Sequence, residues 1–301
     1  MSLSMLFDPA TVAAMMTGWP DKPSVHQLPD DSPLPAILTD QTLYDYLDTG
    51  CVPPGDVNII KSAAPRHPSS FTTAGRLDPV KVRYWRDQGY TVQLRHLEHW
   101  YPPMRVVTGA IQHETACTGY ASAFVTPPGE QGLEWHWDQN LGIVVQLAGT
   151  KTWELWEPIV EHPTGDFHTS VQRWDDDWVT RCRQNGPDLT VQLAAGQVLV
   201  LPRGWIHNPH SRDAATDSVH VTVVIQERTP LWIAEHLVGS AIHNPAFRHA
   251  IPPADLTGEA LATHIRHVRE LLIEHVNTLD PETFTRALRA IAERHDEPAA
   301  G

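Results

Sequence analysis

The chain has 301 residues, with 22 Lys and Arg against 36 Asp and Glu, a formal net charge of −14, and 41% apolar residues that include 11 Trp. This suits one large packed domain with a helical appendage, and it argues against a partner held through nucleic-acid phosphates. Cys51, Cys117 and Cys182 lack disulfide or zinc-knuckle spacing, the N-terminus meets Asp8 without a basic segment before it, and no apolar run approaches membrane-spanning length, so a cytoplasmic chain with no membrane partner is expected.

Residues 1–90 are mixed and Pro-rich, and read as an α/β segment packed on the domain that follows. Asp8-Pro9 opens a short helix through Met16, because Pro fits the first helical position and Asp caps it. A second helix runs from Asp40 to Thr49 with Gly50 as its stop. A third begins at Asp78-Pro79 and ends at Gly89. Between them SAAPRHPSSFTTAGR reads as a polar surface loop.

From Thr91 the pattern changes to short strands, and residues 91–228 form the expected core. Tyr120–Thr126 ends at Pro127-Pro128-Gly129. Leu141–Leu147 turns at Ala148-Gly149-Thr150 into the alternating Lys151–Trp156. Gln197–Pro202 and Asp217–Ile225 close the set. Short strands joined by Gly/Pro turns, with no long helix between them, predict an antiparallel sandwich or barrel. His162–Pro187, with WDDDW, reads as an insertion with some helix. Residues 229–301 are expected to be helical, over Leu231–Ile242, Thr257–Val276 and Asp280 to about Arg294. Their apolar faces suit either a packed bundle or pairing with a second copy.

The chemistry centres on His136-Trp137-Asp138 and the distant His207. In an extended segment positions i and i+2 point the same way, so His136 and Asp138 can grip one ion. Two imidazoles and a carboxylate on one face of Fe(II) leave the opposite face open for co-substrate and O₂. His207 follows a buried strand and a Pro/Gly turn that returns the chain over the barrel mouth; His210 and His220 are the competing candidates. Lys151 starts the strand that returns beside the one after Asp138. Directed inward, it would offer a cation to a dicarboxylate. Ser218 and Thr222 share a face of the last strand with His220 and could add hydroxyl donors.

The stretches TPPGEQGLEWHWDQNLGIVVQLAGTKTWELWEP, LAAGQVLVLPRGWIHNPHS and DSVHVTVVI resemble the Jumonji-C oxygenases, closest to their ribosomal-oxygenase-like branch. Trp19–Pro23 and Asn244–Pro253 extend the resemblance to the segments before and after the barrel. It implies a double-stranded β-helix of the cupin kind, mostly β with flanking α, that binds Fe(II) and 2-oxoglutarate and hydroxylates side chains. The family's metal ligands fall on His136, Asp138 and His207. Its basic residue for the 2-oxoglutarate carboxylate falls on Lys151. Ser122 and Phe124 stand where eukaryotic members commonly carry Asn and Tyr; with Trp137 and Asn140 they are the candidate substrate contacts.

The expected activity is therefore hydroxylation of a peptide or protein side chain, with 2-oxoglutarate converted to succinate and CO₂ at the expense of O₂. A tailoring hydroxylase of a small molecule or free amino acid is the alternative. Demethylation of a methylated lysine would use the same iron chemistry. A non-catalytic cupin-fold binding protein is the rival from another class, and the intact set with Lys151 speaks against it. Zinc hydrolases place their His more closely, on a helix. A homodimer through the C-terminal helices is a further expectation.

Overall fold

The computed structural model describes residues 3–165 and 176–293. Residues 1–226 form one compact unit and residues 227–301 a second. In chain order the strands are β1 (Ser24–Gln27), β2 (Val57–Lys61), β3 (Ala64–Pro65), β4 (Thr72–Thr73), β5 (Arg76–Leu77), β6 (Thr91–Leu94), β7 (Gly119–Thr126), β8 (Leu141–Ala148), β9 (Thr150–Trp156), β10 (Leu189–Ala194), β11 (Gln197–Leu201), β12 (Ile206–His210) and β13 (Ser218–Ile225).

Among the described residues the main sheet has the order β1-β11-β8-β13-β7-β6-β2-β3, and a smaller one the order β10-β9-β12. From β8 to β13 the chain passes back and forth between the two, which makes the double-stranded β-helix expected from the sequence. Every strand pairing among the described residues is antiparallel, with β13 between β7 and β8. The main sheet's central strands β8, β11 and β13 are buried on both faces. Ile143, Val145, Val221 and Val223 join the large core that the helices cover, whereas Val144 and Leu199 pack with Trp153 and Leu155 of β9. Burial on both faces is why β8 and β13 read as nearly unbroken apolar runs and not as alternating ones.

The caps follow the sequence at two of three places. Asp8 accepts from the Ala10 and Thr11 amides at 2.9 and 3.1 Å, and Asp78 does the same for Val80 and Lys81. At the helix Asp40–Asp48 the cap is Thr39, not Asp40. Thr39 and Thr42 form a reciprocal pair, each side chain accepting from the other's amide, the geometry of a capping box.

Three further features bear on the site. The expected run of strands after Thr91 is broken by the helices Leu97–Trp100 and Pro102–Thr115. The second begins on Pro102 at its first position and buries Met104, Val107 and Ile111, an i, i+3, i+7 stripe. Segments within the Pro-rich N-terminal region are also strands of the main sheet, β1 pairing with β11 and β2 with β6. The Asp21 carbonyl accepts from the Trp205 indole at 3.0 Å, tying residues before β1 to the turn that precedes β12. Of the insertion, residues 166–175, with Trp174 and Asp175 of WDDDW, lie outside the described residues, and Asp176–Asn185 is helical.

The second unit consists of the helices Pro230–Ser240, Gly258–Thr278 and Pro281–Ala292 with short 3₁₀ turns between them; Arg294 lies outside the described residues. No helix among the described residues is long and apolar enough to cross a membrane.

The turn between β8 and β9 sets where Lys151 enters the cavity. Gly149 there has φ +64, and a Cβ on it would collide with the Asp217 carbonyl. Left-handed backbone and a close main-chain neighbour both exclude a side chain. Gly149→Ala is expected to cost roughly 2–4 kcal/mol of stability, measured as a lower midpoint in urea.

Candidate metal and co-substrate site

The site begins with two strand-like segments zipped together. His136 and His207 form an isolated antiparallel bridge; the His136 amide donates to the His207 carbonyl at 3.1 Å, and the His207 amide returns the bond at 2.8 Å. The Gly204 amide donates to the Asp138 carbonyl at 2.8 Å, so the turn before β12 is fastened to the His136–Asp138 segment. The two rings lie 4.1 Å apart, and His207 Nε2 is 3.8 Å from Asp138 Oδ2. His136, Asp138 and His207 each offer one ligand atom within 4.8 Å of the others.

Both imidazoles are held in one tautomer. Nδ1 of His136 donates to the Glu134 carbonyl at 2.7 Å, and Nδ1 of His207 to the Trp205 carbonyl at 3.0 Å. A carbonyl can only accept, so each Nδ1 carries the proton and each Nε2 keeps a lone pair for a metal. Burial first, then the neighbouring His136, push His207 down to about 4. It is therefore neutral at physiological pH, the form that ligates. Asp138 keeps 48% of its side chain exposed, which leaves the open side of the cluster toward solvent. The donor set of two nitrogens and one oxygen, facing an open side, fits a ferrous ion of the two-histidine, one-carboxylate kind.

A cavity of about 120 Å³ adjoins the cluster, lined by Tyr120, Ser122, Phe124, Lys151, His220 and Thr222 among others. Register explains the set: Ser122 faces Thr222 and Phe124 faces His220 across β7 and β13, all on the face that looks toward the smaller sheet. The Phe124 and His220 rings stack 4.6 Å apart at 7°. Lys151 reaches in from β9. It is 4% exposed, its ammonium donates to Thr126 Oγ1 at 3.0 Å, and among the described residues no carboxylate pairs with it. Burial alone lowers it from 10.5 to about 7. A buried cation with a single hydroxyl partner is costly to the fold, and it fits the far carboxylate of a dicarboxylate such as 2-oxoglutarate.

Not every expected residue reaches this cavity. Ser218 is buried beyond its lining, where its hydroxyl accepts from the Gln146 side chain at 2.9 Å. Trp137 points the other way from His136 and Asp138, as strand alternation requires, into a cluster with Trp156, Trp178 and Ile206. Asn140 is not part of the lining, and neither is His210, which is buried 4.0 Å from Glu154. Thr126, Tyr120 and Trp153 were not anticipated. For Thr126 the signal was available, since it lies two and four residues beyond Phe124 and Ser122 on the same strand face.

Residues 101–230 match the JmjC domain family. The chain is 27% identical over 213 residues to the bifunctional lysine-specific demethylase and histidyl-hydroxylase NO66 of Drosophila sechellia, covering 68% of this chain and 32% of that protein. It is 27% identical over 154 residues to ribosomal oxygenase 1 of Danio rerio, covering 51% and 27%. The chain thus spans about a third or less of the length of these curated relatives. Among solved structures, the Escherichia coli ribosomal oxygenase YcfD in complex with cobalt and 2-oxoglutarate superposes with a TM-score of 0.57 at 13% identity, over 96% of this chain and 72% of that one. YcfD with cobalt and succinic acid gives 0.58 at 13% identity, over 98% and 74%.

Proposed function

Since residues 101–230 match the JmjC domain family and the chain is similar to ribosomal oxygenase 1, we propose that the chain is an Fe(II)- and 2-oxoglutarate-dependent oxygenase that hydroxylates a side chain of a protein or peptide. The observation that carries this reading is one cavity holding both a pre-set His-Asp-His cluster and a buried ammonium that has no acidic partner among the described residues. Bound iron, with O₂ and 2-oxoglutarate, would supply the oxidation of an unactivated C–H to C–OH, with release of succinate and CO₂.

The residues themselves hold and orient. His136, Asp138 and His207 would keep the metal on one wall, and their Nδ1–carbonyl bonds stop either ring from rotating. Lys151, steadied by Thr126, would fix the far carboxylate of the co-substrate, with Thr222 within the same lining. Phe124, His220 and Trp153 exclude water from that end. Asp138 is a ligand and moves no proton.

A protein substrate is supported by the relatives named as histidyl-hydroxylase and ribosomal oxygenase, and the net charge of −14 suits a basic one. Three cysteines with no disulfide among them support a reducing, cytoplasmic setting. Exposed Leu231, Ile233, Val238 and Ile242 along the first C-terminal helix and its end support pairing of two chains, which sedimentation would report.

The test is an anaerobic titration of metal-free protein with Fe(II) and 2-oxoglutarate, followed by aerobic incubation with ribosomal proteins and, separately, free amino acids. A visible charge-transfer band and a gain of one oxygen on a protein side chain are the expected results. A band with oxygen gained only by a free amino acid would replace the protein substrate with a small one. No band in folded protein would end the oxygenase reading.

A further inference from the structure

Outside the cavity just described, one other group of side chains among the described residues is arranged like a metal site. His96, Glu98 and His99 each offer a ligand atom within 4.8 Å of the others. They lie on the tight passage from β6 into the helix Pro102–Thr115. His96 takes a left-handed conformation, φ 50 and ψ 48, uncommon for a residue with a Cβ. That turn sets the His96 and His99 rings parallel, 5.2 Å apart at 10°.

Glu98 lies between the two imidazoles. Its side chain is only 12% exposed, and Oε1 is 3.5 Å from His96 Nδ1 and 3.6 Å from His99 Nε2. Both distances exceed the usual N–H···O range of 2.7–3.2 Å. They match the separation of about 3.4 Å expected between two ligand atoms placed tetrahedrally, roughly 2.1 Å from one zinc. Oε2 is committed elsewhere, accepting from the Ala121 amide of β7 at 2.9 Å, which fixes the carboxylate with Oε1 directed at the rings. The turn is pinned as well. The Trp100 indole donates to the Arg95 carbonyl at 3.0 Å, and the Arg105 guanidinium donates to the Glu98 and His99 carbonyls at 2.8 and 2.7 Å.

We propose that His96, Glu98 and His99 form a second metal site, taking a borderline divalent ion such as Zn(II) or Co(II) with three protein ligands and an open fourth position. The donor set, two imidazoles and one carboxylate, suits that class. The ion would clasp the Arg95–Tyr101 turn to β7 through Glu98. It would lie on the far side of Tyr120 from the first site: the His96 and Tyr120 rings are 5.4 Å apart, and Tyr120 also lines the cavity with Asp138.

The experiment is a Co(II) titration of metal-free, tag-free full-length protein, read by visible absorption and by bound metal after desalting. The parent is expected to hold two ions per chain. His99→Ala, at a largely exposed side chain, and Glu98→Gln, which keeps the acceptor for Ala121, should each hold one and retain the Fe(II)/2-oxoglutarate band. Asp138→Ala should lose the other ion and keep the one at His96. Parent and His99→Ala holding equal amounts of metal would overturn the proposal, as would a parent that holds one ion, lost with Asp138→Ala.

Discussion

Asp138→Ala is expected to abolish the charge-transfer band and to lower succinate formation by on the order of a thousandfold, a loss of about 4 kcal/mol of transition-state stabilisation. The reason is local. His136 and His207 are already aimed by their carbonyl bonds, so the carboxylate supplies the only negative charge in the cluster. Without it a dication faces two imidazole nitrogens alone and binds far more weakly. The fold should not suffer. Asp138 leaves nearly half its side chain in solvent, and its backbone bond with Gly204 does not need the carboxylate. Equal melting temperatures of metal-free parent and variant, beside the lost band, are the expected pair of results. A variant that kept parental turnover would remove Asp138 from the ligand set.

Lys151→Met is expected to act in opposite directions on function and stability. The KM for 2-oxoglutarate should rise about a hundredfold, the equivalent of roughly 3 kcal/mol for a desolvated charge-assisted contact. The metal-free protein should become more stable at neutral pH. Burial pushes Lys151 from 10.5 to about 7. Between those values the unfolded chain holds a proton that the folded chain lacks, so stability rises with pH across that window, and the cost of burying the ammonium is felt in full below about 7. Removing the ammonium relieves a few kcal/mol there, shrinking to nothing near pH 10.5. Binding of the dicarboxylate should restore the proton, so in the parent the apparent affinity should weaken by up to about tenfold per pH unit above 7. Thermal melts of both proteins at pH 6 and pH 9, with KM at the same two values, check each part. A pH-independent KM would show that Lys151 is not the co-substrate's partner.

The parts of the site legible in the sequence are those that depend on chain-local geometry. His136 and Asp138 share a face by alternation, and Lys151 enters the cavity because Gly149 sets a tight hairpin; both can be read from residue spacing. The same alternation places Trp137 outside the site. Ser218 shares the strand face of Thr222 but is not part of the cavity lining. It lies opposite Thr126 at the end of the strand pair, where Gln146 takes its hydroxyl. The bridge between residues 136 and 207 joins segments far apart in the chain and no local pattern encodes it, whereas the carbonyls that fix both His tautomers lie only two residues before each ring. For the fold, caps at Asp8 and Asp78 were readable from Asp-Pro. Strands β1 and β2 were not, since short segments in a Pro-rich region gain their structure only from the sheet edges they join.

The backbone bridge between His136 and His207 has one more consequence. Because main-chain bonds hold His136, Asp138 and His207 together, the cluster has its shape before any metal arrives. A chelator should therefore empty the protein without unfolding it, and added iron should refill it at once. In a cell, the fraction of such a protein at work would follow the supply of ferrous iron from moment to moment, with no refolding step between scarcity and recovery.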